Sequence, residues 1–584
     1  MPDATGLELL AQRVREAVAD DAIVGTRFEH GHATLDVHPP RVHAVLSYLR
    51  DSDDEPYGFL ASLHGCDYLP AEPRLGIHYQ LLSMERRDRL GVRARVTVEE
   101  PQLPTVTDIF PTADFQEREV YDFFGVIFDG HPDHRRILMP EDYVGHPQRR
   151  DFPMGGEPVL FTFNEQSSRD GMSDPLKVPY REREASISLD AMDEEPESEI
   201  LTINLGPHHP ATHGVLRLLC TLEGETVRSV QPIIGYVHTG IEKSCEDQEY
   251  WKAITFVERM DYLAYYFNAF AYCSAVETLL EEDVPPRAQY LRVIHMELNR
   301  LASHLFWLGT GALDIGAITM LWWALRERDV ILDLFEMSSG QRFHTRYFQV
   351  GGVMEDLPPG WEAKTRKFLA EMPARIDQYE ALLDENEIWL RRTKNTGIVS
   401  LEKMLELGVT GPLLRAAGKP WDLRKAMPYC GYEHFDFKIP VGTVGDNYDR
   451  YRVRMAEMRE SVKIVEQALD GLPEGPYITP NRKVALPPRH ELATSMEALI
   501  HHFKLVTEGF RVPPGETYVA VESPRGELGC FVVADGSAKP VRVHMRDPSF
   551  VNLQALRHMG EGSVIADFIA CLAMLDPILG GIDR

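Results

Sequence analysis

The chain has 584 residues, 44% of them hydrophobic and 9% aromatic, so it can build compact cores but is too long for a single one. With 61 Lys and Arg against 90 Asp and Glu, its formal charge of -29 argues against nucleic acid as a partner, because phosphates would be repelled over most of the surface. The seven cysteines stand singly without a CxxC pair, which signals neither a disulfide framework nor a thiolate metal site and fits a reducing cytoplasm.

Residues 1–163 are predicted to form a small α+β domain. The N-terminal residues mix both charges among apolar ones, which predicts an amphipathic helix rather than a signal peptide. Three further patterns follow: a strand at 33–38, a helix at 40–51, and two strands around a polar turn within 75–99. Residues 116–153 are dense in aromatics, charges, Gly and Pro, and are predicted to pack irregularly against a partner surface.

The segments EREVYDFFG and GHPDHRRILMP of this domain carry aromatic and arginine side chains typical of an interaction surface. They contain no nucleophile or metal cluster. His131 and His134 are the residues that suggest a metal, but an interfacial or solvated role is favoured. We therefore assign this domain to assembly and docking. Hydrophobicity then collapses over 164–199, which ends in an acidic cluster and is interpreted as a linker.

Residues 200–584 are predicted to form a large, mainly helical domain with β segments at its ends. Its stretch 304–325 has 22 mostly apolar residues, long enough to span a bilayer. Asp314 stands near the centre of this stretch, where a carboxylate is costly in lipid. A buried helix within a helical domain is therefore predicted, and Asp314 then needs a partner.

The motif GPHHPATHG, residues 206–214, holds three histidines within six positions. Pro207 and Pro210 favour a loop over a helix. Zinc binding is not indicated, because HEXXH is absent and no further ligands stand nearby. Two interpretations stay open from the residues alone: a turn that caps a strand, or a site that uses imidazole chemistry.

A long series of motifs decides the family. LTINLGPHHPATHGVLRLLC, IGYVHTGIEKSCE, ERMDYLAYYFNAFAY, GALDIGA, RERDVILDLFEMSSGQRFHTRYFQVGGV, GDNYDRYRVRMAEM, VESPRGELG and DPILGGIDR closely resemble the 49 kDa-type (D) subunit of proton-pumping NADH:quinone oxidoreductase, respiratory complex I. EREVYDFFGVIFDGHPDHRRILMPEDYVGHPQRRDFP resembles the 30 kDa-type (C) subunit. The chain therefore resembles the fused C/D subunit of some bacteria, with domains at 1–163 and 200–584.

The resemblance implies a site for ubiquinone or menaquinone. His213 and Tyr262 carry over as the ligands of the quinone headgroup, and His209 lines the same loop. Asp314 carries over as the carboxylate that pairs with the loop histidine; its alternative is a packing salt bridge with a nearby arginine. Reduction takes two electrons and two protons, which suits histidine and a phenol as donors.

Arg259 and His344 carry over as neighbours of a terminal [4Fe-4S] cluster that the B-type subunit ligates. The alternatives are an ion pair of Arg259 with Glu258 or Asp261, and a hydrogen-bonded core histidine. NADH, FMN and the iron-sulfur clusters are expected on partner subunits, with no metal or cofactor bound by this chain. Expected partners are the B-, I- and G-type subunits and the membrane arm, at the cytoplasmic side of the bacterial inner membrane.

The fold is expected to be similar to the large subunit of [NiFe]-hydrogenases. Hydrogenase chemistry itself is excluded, because its metal site needs two CxxC pairs and Cys571 stands alone near the C-terminus. The alternative from another class is a structural connector without substrate contacts. The absence of a GxGxxG fingerprint argues against direct NADH binding.

Overall fold

The computed structural model describes residues 4–52, 56–152, 200–207 and 214–584. An N-terminal half precedes residue 153, and a larger C-terminal half begins at residue 200. The predicted linker at 164–199 lies outside the described residues. Both halves mix helices and strands, which confirms the α+β class, whereas the likeness to the hydrogenase large subunit stays a prediction.

A five-stranded sheet in the order β1-β2-β5-β4-β3 forms the core of the N-terminal half. Its strands are β1 (Ile23–Glu29), β2 (His32–Val37), β3 (Phe59–Asp67), β4 (Leu75–Ser83) and β5 (Asp88–Val96). Strands β2 and β5 pair in parallel and the other neighbours are antiparallel. Helices α1 (Ala4–Ala17) and α2 (Val42–Asp51) each bury an apolar stripe. All four predictions of helix and strand for this region are confirmed.

The chain between this sheet and residue 152 is largely irregular, as its Gly, Pro and aromatic content predicts. Its regular elements are β6 (Gln102–Pro104), α3 (Ala113–Phe124) and β7 (Ile127–Asp129). The buried Asp122 carboxylate accepts the Leu138 N–H at 2.9 Å and so holds the irregular part on α3. The partner surface lies partly within the same chain, since Lys243 donates to the Arg149 carbonyl at 2.9 Å.

Side chains from the C-terminal half close the edge strand β3. Arg546 donates to the Ala61 carbonyl at 2.9 Å, and Arg542 donates to the Gly65 carbonyl at 3.0 Å. Both arginines lie on β15 (Arg542–Arg546) and are buried. We call this contact between β3 and β15 the seam. It joins the two halves through hydrogen bonds that an added strand would otherwise make.

Strands lie at both ends of the C-terminal half. Its first antiparallel sheet contains β8 (Ile200–Leu205), β9 (Arg217–Glu223) and β10 (Thr226–Ile233), in the order β10-β9-β8. A short hairpin consists of β11 (Phe348–Gln349) and β12 (Gly352–Val353). The last antiparallel sheet contains β13 (Gly515–Ser523), β14 (Gly526–Ala534) and β15.

Helices fill the rest of this half, and the long helices α7, α8 and α14 pack together at its centre. The helices are α4 (Ile241–Asp247), α5 (Tyr250–Val257), α6 (Tyr265–Leu280), α7 (Pro286–Asp314), α8 (Ile318–Ser339), α9 (Trp361–Asp384), α10 (Glu387–Thr393), α11 (Leu401–Glu406), α12 (Pro412–Ala416), α13 (Leu423–Ala426), α14 (Asn447–Asp470), α15 (Met496–Thr507), α16 (Pro548–Asn552), α17 (Ala555–Gly560), α18 (Ile565–Leu575) and α19 (Leu579–Asp583).

The apolar stretch 304–325 contains two helices, so the prediction of one buried helix was wrong. Helix α7 ends at Asp314 and α8 begins at Ile318. Gly316 takes φ +96° in the turn between them, a conformation open to glycine but strained for other residues. Among the helices of the described ranges, none is both long and apolar enough to cross a bilayer.

Candidate functional site

The histidine motif lies between two paired strands, since β8 ends at Leu205 and β9 begins at Arg217. His209 and His213 fall within 208–213, outside the described residues. Their assignment therefore stays a prediction.

The described ends of the motif are glycines in tight surroundings. A Cβ on Gly206 would collide with the carbonyl oxygen of Leu216 on the opposite side of the motif. A Cβ on Gly214 would stand 3.4 Å from Cδ1 of Leu579. The second glycine thus brings the end of the motif against residues 576–584, which we call the terminal segment.

Tyr262 lies in the turn between α5 and α6 and is half-buried. Burial, and then the negative charge of Asp261, raises the pKa of its phenol. The phenol therefore stays protonated at neutral pH and can donate a hydrogen bond. A Cβ on Gly580 would stand 3.1 Å from Cδ1 of Tyr262, so the terminal segment lies against this ring as well.

A buried arginine fixes the turn that carries Tyr262. Arg525 donates to the Asp261 carboxylate at 2.8 Å and to Asp576 of the terminal segment at 3.2 Å. The Asn268 side chain donates to the Asp261 carbonyl at 3.1 Å. Arg525 is 1% exposed. Loss of either carboxylate would leave a buried charge poorly compensated, so the turn and the terminal segment are held in one arrangement.

Asp314 is half-buried at the end of α7. The preceding turns of α7 pack on α18, where Trp307 donates to the Ala573 carbonyl at 2.9 Å. Helix α18 leads directly into the terminal segment. The structure thus places Tyr262, the end of the histidine motif and the helix of Asp314 around that segment. The predicted pair of Asp314 with a loop histidine involves positions 208–213, which lie outside the described residues, and it stays a prediction.

Arg259 and His344 share one surface. Arg259 is exposed and donates to the Thr255 carbonyl. Nδ1 of His344 lies 3.2 Å from the Glu258 carbonyl oxygen, and burial followed by the Arg259 charge lowers the pKa of its imidazole. The alternative partners of Arg259 are engaged elsewhere: Glu258 accepts a backbone N–H at 3.0 Å, and Asp261 pairs with Arg525.

His131 and His134 hold the irregular part of the N-terminal half. Nδ1 of His131 accepts the Asp133 N–H at 3.0 Å, and Nε2 of His134 accepts the Phe128 N–H at 3.1 Å. A ring nitrogen that accepts a backbone hydrogen bond is occupied, which leaves these histidines structural roles.

Three contributors to the site were missed in the sequence: Gly580, Arg525 and Asp547. Arg525 belongs to VESPRGELG and Gly580 to DPILGGIDR, two motifs that carry the family resemblance. Their positions in those motifs were the available signal. No local pattern shows that residues 264 positions apart form an ion pair, as Asp261 and Arg525 do.

Comparisons with known proteins give two family matches. Residues 314–584 match the model described as respiratory-chain NADH dehydrogenase, 49 Kd subunit, and residues 35–158 match the 30 Kd subunit. The chain is 53% identical over 416 residues to a D-type NADH-quinone oxidoreductase subunit of Chloroflexus aurantiacus, covering 71% of this chain and 100% of the relative. It is 54% identical over 416 residues to the D-type subunit of Acidothermus cellulolyticus, covering 68% and 94%.

Proposed function

Because the chain belongs to the family of D-type NADH-quinone oxidoreductase subunits and carries a 30 kDa-type domain in the same polypeptide, we propose that it forms the quinone-reduction site of that complex. The predicted fusion of C-type and D-type subunits is confirmed. Within it, we assign residues 1–163 to docking, 164–199 to the linker and 200–584 to the quinone site.

The arrangement around Tyr262 carries this proposal. A quinone oxygen that gains charge on reduction needs a donor whose proton is available at neutral pH. Tyr262 offers a protonated phenol on a turn that Arg525 fixes at 2.8 Å through Asp261. The end of the histidine motif reaches the same terminal segment, so His213 and His209 would face the substrate from the other side, with Asp314 as the charge partner of the loop.

Arg259 and His344 would face the terminal iron-sulfur cluster of a partner subunit. Their cation and imidazole suit a neighbouring cluster, whereas burial raises the pKa of thiols such as Cys245 and Cys273, which disfavours thiolate ligands from this chain. The cluster supplies electrons when the complex is assembled. This chain's part is to hold the quinone oxygens, donate protons and keep the approach to the cluster polar.

The remaining assignments follow from membership of the complex. We place the chain peripherally at the cytoplasmic side of the bacterial inner membrane, in contact with the B-, I- and G-type subunits and the membrane arm. NADH, FMN and the clusters belong to partners, and charge changes at the quinone site drive proton translocation in the membrane arm. The rival function is a structural connector without substrate contacts.

The test is quinone reduction by membranes that carry Tyr262→Phe or His213→Ala. Tyr236→Phe, at a tyrosine that is 45% exposed, is the matched control. NADH oxidation by an artificial acceptor reports assembly. We expect both site variants to lose quinone reduction while acceptor activity and the control stay unchanged. Full quinone reduction in both site variants would favour the connector.

A further inference from the structure

A buried carboxyl group stands behind Tyr262. Asp547 precedes α16, and its Oδ1 accepts the Ser549 N–H at 2.7 Å. Asp547 is 1% exposed. Its Oδ2 is fully buried and has no hydrogen-bond partner among the residues that the structure describes. A carboxylate oxygen buried in this way is costly, whereas a protonated carboxyl group is not.

Two consecutive glycines separate this carboxyl group from the phenol. A Cβ on Gly580 would stand 3.1 Å from the Tyr262 ring, and a Cβ on Gly581 would stand 2.6 Å from Cγ of Asp547. The ring and the carboxyl group therefore both rest on one dipeptide of the terminal segment. Side chains larger than hydrogen at these positions would push the two groups apart.

The charges around Asp547 decide which acid carries a proton. Arg525 pairs with Asp261 at 2.8 Å and with Asp576 at 3.2 Å, so the Arg525 guanidinium is already shared by two carboxylates. Arg584, on the other side of Asp547, contacts the Glu119 carboxylate. Asp547 thus adds a third acid to a set that lacks a matching cation.

Burial, and then the charge of Asp261, raises the pKa of Asp547 to about 6. Burial also raises the pKa of Asp261, but that carboxylate accepts from Arg525 and from the Leu263 N–H at 3.1 Å. The proton of the pair therefore resides on Asp547. Negative charge that develops at Tyr262 would strengthen its hold on that proton until it is transferred.

We propose that Asp547 stores the proton that restores Tyr262 after each donation to quinone, an inference that rests on the proposed quinone site. The Tyr262 O–H bond breaks as its proton passes to the reduced quinone oxygen, whose electrons come from the partner's cluster. The carboxyl O–H of Asp547 then breaks, and its proton re-forms the phenol. The carboxylate left behind is reprotonated from solvent. Asp547 acts through Tyr262 and is a positioning residue for the proton.

The test uses the purified complex with Asp547→Asn, which keeps the size and the contact with Ser549 but cannot release a proton. Asp547→Glu is the conservative rescue, and Asp567→Asn, at a half-buried carboxylate on α18, is the control. Wild-type quinone reduction should fall as pH rises through about 6. We expect Asp547→Asn to lose this step and to be about tenfold slower or more at the acid end. Asp547→Glu should retain a step at a shifted pH.

Infrared titration without quinone gives an independent readout. The wild type should show a protonated carboxyl band that titrates near pH 6 and is missing in Asp547→Asn. Absence of that difference overturns the proposal, and the readout holds even where a variant turns over poorly. An altered band with an unchanged pH profile also overturns it, while leaving the quinone site intact. Failure of the quinone site itself would appear instead as full activity of Tyr262→Phe.

Discussion

Nδ1 of His344 lies 3.2 Å from the carbonyl oxygen of Glu258, so the imidazole is held against the turn that begins with Arg259. Burial and the Arg259 charge lower the pKa of His344, which keeps the ring neutral at pH 7. The ring is half-buried, and the neighbouring guanidinium is exposed. The pair can therefore respond to charge that appears on the adjoining partner.

The first prediction concerns this pair. Reduction of the partner's cluster adds negative charge, which raises the pKa of His344 and favours proton uptake. The midpoint potential of the cluster should fall with rising pH, by up to about 59 mV per unit for one proton per electron. His344→Ala should flatten that dependence in redox titrations of the assembled complex. His434→Ala, at a side chain that is 60% exposed, should not; an unchanged slope in both would rule His344 out.

The second prediction concerns Gly580. Gly580→Ala places a methyl group 3.1 Å from the Tyr262 ring and against the Met260 carbonyl, so the ring must move. Because misplacing a donor by about 1 Å can cost about a hundredfold, we expect quinone reduction to fall roughly tenfold to a hundredfold. Gly58→Ala, where a Cβ meets nothing within 4 Å, is the control. Normal rates with Gly580→Ala would mean that Tyr262 need not hold this position.

A third prediction concerns the buried acid Glu297. Its carboxylate lies between Arg300 at 3.2 Å and Arg424 at 3.1 Å. Burial alone would raise its pKa, but the charges of Arg300 and Arg424 lower that pKa to about 2. Glu297→Gln leaves both guanidinium groups undercompensated and should lower the free energy of unfolding by about 3–5 kcal/mol.

The pH dependence of that loss has a definite sign. A depressed folded-state pKa stabilises the protein above the unfolded value of about 4.3, and this contribution disappears as pH falls toward about 2. Thermal unfolding of the full chain should therefore show a gap between wild type and Glu297→Gln that closes at acid pH. Exposed Glu466→Gln is the control. A gap independent of pH would point to packing rather than charge.

The fourth prediction concerns the seam. Arg542 pairs with Glu242 at 2.6 Å and with Glu246 at 3.3 Å while it donates to the Gly65 carbonyl. Arg542→Met leaves both carboxylates buried without this cation. Calorimetry should show the N-terminal half melting separately and earlier, whereas exposed Arg452→Met should melt as the wild type does. A single unshifted transition would mean that the seam does not depend on Arg542.

The parts that sequence reasoning predicted are those with local causes. The strand β2 and the pair β4 and β5 show alternation or a polar turn, and α2 shows helical period. The break at Gly316 was missed because an apolar run has no polar marker where it turns. The fixation of Tyr262 through Arg525 was missed because that contact joins residues 264 positions apart. The roles of His209 and His213 came from the family resemblance and await experiment.

The closed edge of β3 also bears on how the chain folds. Until β15 arrives, the carbonyls of Ala61 and Gly65 lack the arginines that later bind them, on a strand whose residues are all buried in the finished protein. An N-terminal half made alone would present this edge to any other extended chain, which invites aggregation. Carrying both halves in one polypeptide raises the local concentration of the correct partner to about the millimolar range. The fusion thereby favours capture of β3 by its own arginines over association with a stranger.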